Sequence, residues 1–400
     1  MRSRTLKPWI CVILSVLLII WTVSAGSEAP DEAQNWLELA AEAHREQDYE
    51  KELEILLPAA DQGNAEAQRI LGEMYFRGLG VEASMETSLA YTRQAAEQGN
   101  AQALYNLGWH YDLGVGVEQD YGKALECYLA AAEQGNAGAL TNLGVMYEHG
   151  NGVEQDAGKA LEYYRQAAEQ GNAAALTNLG MMYEHGNGVE QDAGKALEYY
   201  RKAADLGYAI ATTNLGVMYE NGIGVDQDYD RALEYYRRGA DLGDTTAMVY
   251  LGWMYEYGRG VAPSYEKAAE CYLQAADQGN AMAQAYLGQL YEFGDGVELS
   301  YENALQYFQL SADQGNSMGQ WGLGQLYQFG LGVELSYEKA AKYYQLSAAQ
   351  NDPDGLECLG YLYLNGLGVE QSTDKAMELY QQAAALGSEE AQRQLELYVN

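Results

Sequence analysis

The chain has 400 residues and a formal net charge of −35, from 58 acidic against 23 basic groups. A surface this acidic repels phosphate backbones and anionic lipid, which argues against nucleic-acid binding and favours basic partners or simple solubility. Length alone suggests two or three domains, but Leu-Gly pairs at Leu71, Leu107, Leu143, Leu179, Leu215, Leu251, Leu287, Leu323 and Leu359 recur every 36 residues. That period points instead to one elongated domain of stacked two-helix units, each able to bury its apolar face only against a neighbour.

In chain order, residues 1–25 come first. Met1 to Pro8 carries basic groups and no acid, Trp9 to Val23 is almost wholly apolar, and Ser24-Ala25 offers small residues before Gly26. These are the parts of a secretory signal peptide. The apolar run is about 15 residues, short of the ~20 that cross a bilayer as a helix. The alternative is an uncleaved N-terminal anchor in the inner membrane. The expected location is periplasmic or secreted in the first case, and membrane-anchored facing the periplasm in the second.

Residues 26–64 read as a short linker followed by a degenerate helical pair, with Trp36, Leu39, Tyr49, Leu53 and Leu56 supplying its apolar face. Nine repeats then fill 65–387. In the third, Asn136 caps a first helix from Ala137 to about His149, and Gly150 ends it. The turn Gly150-Asn151-Gly152-Val153 leads to Asp156, which caps a second helix from Ala157 to about Gln170. The second-helix cap column reads Ser84, Asp120, Asp156, Asp192, Asp228, Ser264, Ser300, Ser336, Ser372. Every member can accept a bond from free helix-end N–H groups, so these aspartates are structural. Residues 388–400 form a last helix that caps the stack.

Ala139, Leu143, Met146 and Tyr147 make the buried stripe of the first helix, and Ala160, Tyr164, Ala167 and Ala168 that of the second. Gly144 sits mid-helix, where it costs about 1 kcal/mol relative to Ala, so its recurrence implies a close helix approach. Repeats three and four are near copies: 140–168 and 176–204 differ only at Val145/Met181 and Gln166/Lys202. Outside the leader, Cys127, Cys271 and Cys358 are too few and too scattered for a disulfide framework.

Leu143-Gly144-x-x-Tyr147-x-x-Gly150-x-Gly152-Val153, then Lys159-Ala160-x-x-Tyr163-Tyr164-x-x-Ala167-Ala168-x-x-Gly171-Asn172, resembles the Sel-one-like repeat (SLR), a relative of the tetratricopeptide repeat. Departures are local: Thr92 and Phe308 replace the second-helix tyrosine in repeats one and seven, and Asn351 replaces a closing glycine in repeat eight. The resemblance implies an all-α solenoid, a right-handed superhelix with first helices lining its concave side. It also implies adaptor work, holding a protein or peptide partner, with no cofactor and no catalytic centre. Some cysteine-rich bacterial members are linked to β-lactam binding, but the paired cysteines of each of their units are missing here.

A second stripe on the first helix falls on the implied concave wall. In repeats two to five one column reads Asn106, Asn142, Asn178, Asn214, amides able to grip an extended peptide or to bond along the stack. Further on the stripe is aromatic, with Tyr250, Trp253, Tyr257, Tyr286, Phe293, Trp321 and Phe329, and Trp109 belongs to it earlier in the chain. Such residues dominate docking surfaces, although packing between repeats would also use them. Trp253→Ala and Trp321→Ala are therefore expected to abolish partner capture without shifting the melting temperature, whereas a large loss of stability would show them to be packing residues. His149 and His185 at helix C-termini suit the dipole without a metal, and 154–156 lacks the alternating ligands of a calcium loop. The expected function is an exported protein-binding scaffold, in envelope biology or host contact. The alternatives are an envelope hydrolase or ligand-binding protein, and a structural spacer.

Overall fold

The structure, a computed structural model, describes residues 35–399. The segment read as signal peptide or anchor, the linker before residue 35 and the terminal residue 400 lie outside the described residues. Every regular element among them is an α-helix, 21 in all. The chain is an α-solenoid of two-helix repeats, divided into two compact segments that part between residues 211 and 212.

The segment up to 211 opens with the expected capping pair, Asn35–Arg45 and Tyr49–Asp61. Ala40, Ala43 and Leu56 are sealed in it, while Trp36 is only half-buried and Leu39 faces solvent. The next repeats show how the local code works. In repeat three Asn136 Oδ1 accepts the Ala139 N–H at 2.9 Å and starts the helix Ala137–His149. Gly150 ends it at φ 76°, a left-handed conformation open to glycine at no steric cost. The Asp156 N–H then reaches back to the Tyr147 carbonyl at 2.8 Å, and its side chain accepts from Lys159 N at 3.0 Å to begin Ala157–Glu169. All nine expected second-helix caps accept from the backbone N–H three residues on. Each such cap stabilises its helix by about 1 kcal/mol.

Packing explains the mid-helix glycines. An added Cβ on Gly180 would lie 2.5 Å from the ring of Tyr200, and the equivalent on Gly108 would lie 2.7 Å from Tyr128. Both tyrosines are fully buried. Removing a large ring from water stabilises by about 2–3 kcal/mol, more than the ~1 kcal/mol that glycine costs the helix. Ala160 and Ala167 are sealed beside the same ring in repeat three, and Tyr147 is half-buried, stacked on Tyr163 at 5.6 Å under the ammonium of Lys159.

The segment from 212 repeats this plan with two local edits. Phe308 takes the tyrosine position in repeat seven, pressed by Gly288 and Gly322. Asn351 adopts φ 58° where other repeats have glycine, and Asp352 with Pro353 then opens the next helix. The final helix, Glu389–Val399, buries Ala391 completely and lays Leu395 on the core of repeat nine, as an end cap should.

Candidate functional site

The candidate surface follows from one register on the first helices. In repeats three and four the asparagine column faces the buried tyrosine of the preceding repeat. Asn142 Nδ2 donates to Tyr128 Oη at 2.9 Å, and that hydroxyl donates on to Asp112 at 3.2 Å. Asn178 bonds Tyr164, whose hydroxyl donates to Glu148 at 2.7 Å. Burial drives these phenols far above their usual range, so they remain donors. The amides of Asn142 and Asn178 therefore bond along the stack, the second of the two roles open to that column. Asn106 accepts from Gln102 at 2.9 Å, and Asn214 is half-buried.

After repeat five the same column changes to Tyr250 and Tyr286, and chemistry changes with it. Tyr250 stacks on Tyr236 at 5.1 Å and Tyr286 on Tyr272 at 5.2 Å. Trp253 stands edge-on between Tyr250 and Tyr286, at 5.1 and 5.4 Å. The result is a five-ring ladder across repeats five to seven. Burial and the nearby Tyr257 and Glu256 push the Tyr286 phenol up to about 12.

At the ends of three successive first helices, Tyr257, Phe293 and Phe329 are 61%, 61% and 59% exposed. They are the residues of the stripe that face water most openly. Trp321 differs. It is packed on the core of repeats eight and nine, with its indole N–H buried against Cys358. Trp109 lies in the segment before 211, edge-on to Phe76 and His110 at 5.9 and 5.2 Å. It forms its own cluster there.

A residue the sequence reading passed over is Glu292. In repeats three to six the glutamate at its position accepts a tyrosyl hydroxyl from sixteen residues on, at 2.6–2.7 Å. In repeat seven the partner is Phe308, which has no hydroxyl. Glu292 is only 5% exposed, its Oε2 is buried without a partner, and desolvation pushes its carboxyl up to about 7. The signal was present in the sequence as the Phe308 departure, read against a glutamate sixteen residues earlier.

Other chemistry is sparse. Among the described residues no group of three or more His, Cys, Asp or Glu could hold a metal ion, and no helix is long and apolar enough to cross a membrane. Burial raises the Cys127 and Cys271 thiols to about 11 and Cys358 to about 12, so none is a ready nucleophile.

Comparison with known proteins agrees with this architecture. The family model for the Sel1 repeat matches residues 26–44, eight consecutive stretches from 65 to 352, and 359–388. The first of these reaches into the region read above as linker and cap. A protective antigen present in uropathogenic Escherichia coli strains, with an SLR fold, is 35% identical, with 91% of this chain and 79% of that one covered at a TM-score of 0.59. A Sel1 repeat protein from Oxalobacter formigenes is also 35% identical, with 60% of this chain and 96% of that one covered at a TM-score of 0.56. No curated protein matches the chain.

Proposed function

Because this chain belongs to the Sel1 repeat family, we propose that it is an exported scaffold without enzymatic activity, holding a protein partner on the aromatic row of residues 212–399. Sel1 repeats are a scaffold suited to protein–protein interaction. The observation that carries the reading is the row Tyr257, Phe293, Phe329, three large rings more than half exposed on consecutive repeats of a very acidic chain. Water is displaced from such rings at a net gain when a partner covers them. Tyr257 lies near Tyr286 of the ladder, in which Trp253 is bracketed on both sides.

Export rests on residues 1–25, a basic start, an apolar run and small residues before Gly26. Fractionation with N-terminal sequencing tests it: a periplasmic or released chain starting near Gly26 supports export, and a cytoplasmic chain retaining Met1 overturns it.

Docking is tested by crosslinking from envelope extract with the triple variant Tyr257→Ala, Phe293→Ala, Phe329→Ala. Saturable capture should be lost while the melting temperature stays within about 2 °C, as expected for exposed side chains. Undiminished capture by the triple variant overturns the site.

A further inference from the structure

Arg259 shows what the glutamate column can hold. It sits in the turn after the first helix of repeat six and donates through Nη1 to Glu220 Oε1 at 2.6 Å. Its guanidinium lies 5.8 Å from the centre of the Tyr257 ring. Glu220 is 9% exposed and also accepts from Tyr236 at 2.6 Å. Glu220 owes part of this burial to the guanidinium itself, since Arg259 is about half exposed and covers the carboxylate from the solvent side. Carboxylate and ring together form a cage, filled in this case by the chain's own arginine.

Two repeats on, the same three positions are Glu292, Phe329 and Leu331. Glu292 keeps the burial of its counterpart but has neither the tyrosyl donor nor the guanidinium. Phe329 presents an open ring, and Leu331 turns onto the core around Phe308. In the repeat between them Glu256 has its tyrosine, Tyr272, at 2.7 Å, and Asp295 stands in the arginine position. Glu292 alone of this series is left without any donor. An unpaired buried carboxyl is costly, and a charge-assisted bond from outside would relieve that cost. The −35 charge of the chain draws cations toward it.

We propose that the Glu292–Phe329 cage receives an arginine side chain of the partner protein, bonded to the carboxylate and laid on the ring as Arg259 is on Tyr257. This rests on the scaffold reading above and specifies the chemistry of its partner. Guanidinium suits the site better than ammonium, because it bonds in its plane while its face lies on an aromatic ring.

The probe is an acetylated tetra-arginine peptide, with tetra-citrulline as the uncharged control, titrated into the full chain at about 0.15 M salt to screen diffuse attraction. Tetra-arginine should bind and tetra-citrulline should not. Glu292→Gln should weaken binding by about tenfold or more, far beyond what removing one acid of 58 does to a diffuse field. Phe329→Ala should weaken it by a smaller factor. Arg259→Ala should open the Glu220–Tyr257 cage and raise the stoichiometry by one. Equal binding by wild type and Glu292→Gln, or by the citrulline peptide, overturns the cage. If Glu292→Gln still captures the natural partner while the triple aromatic variant does not, the cage fails and the scaffold reading stands. If tetra-arginine binds through Glu292 but no protein is captured by the wild type, the scaffold reading falls and the partner arginine with it.

Discussion

Glu292 is destabilising because of a change elsewhere in the chain. Replacing a tyrosine by Phe308 removes one oxygen, and a carboxyl buried with a donor in repeats three to six is left without one. Its folded-state pKa, about 7, lies well above the ordinary carboxylate range because burial disfavours the charged form. The folded protein therefore holds this proton longer than the unfolded chain does. The associated stability is present below the unfolded value and is lost as pH rises through about 7. Glu292→Gln is expected to match wild type near pH 5 and to gain about 1–2 kcal/mol near pH 8. Phe308→Tyr should act in the same direction by restoring the donor. Thermal melts of the three proteins across that range check both, and a pH-independent difference would show that the carboxyl is already ionised and satisfied.

A single helix can divide its aromatic residues between two jobs. On Ser317–Phe329, Trp321 is packed against the core of repeats eight and nine, while Phe329 projects from the last turn with most of its surface in water. Trp321→Ala should therefore cost about 3–5 kcal/mol, as large core truncations do. Phe329→Ala should stay within about 0.5 kcal/mol. Urea melts of the two variants separate the cases, and a mild Trp321→Ala would move that residue back to the docking surface. The expectation that Trp253→Ala and Trp321→Ala act on capture alone does not suit these surroundings, since both rings also pack between repeats. Sequence spacing placed Trp253 and Trp321 on one face of their helices. It could not show which rings the next repeat covers, because that depends on the neighbouring helix.

For the whole chain, charge is the dominant surface property. With 58 acids against 23 basic groups, most carboxylates have no cation to pair with. Several lysines are already held over tyrosine rings, such as Lys159 on Tyr147 and Lys339 on Tyr327, at 4.9 and 4.8 Å. Net self-repulsion should then outweigh the exposed i,i+3 pairs, each worth well under 1 kcal/mol. Raising salt from about 0.02 to about 0.3 M should raise the melting temperature by a few degrees. A fall would mean that the ion pairs govern.

The division between what sequence determined and what structure decided follows the range of the forces involved. Helix limits, caps and the left-handed glycines depend on residues within one turn of each other. They were readable from Asn136, Gly150, Asp156 and their counterparts in the other repeats, down to Asn351. The sealed tyrosine facing a mid-helix glycine was readable too, because the period repeats that contact along the chain. The partners of individual polar groups were not. Whether an asparagine amide faces a peptide or the phenol of the preceding repeat, and whether Glu292 meets a donor, depends on side chains brought together across helices. Only the packed structure sets those distances.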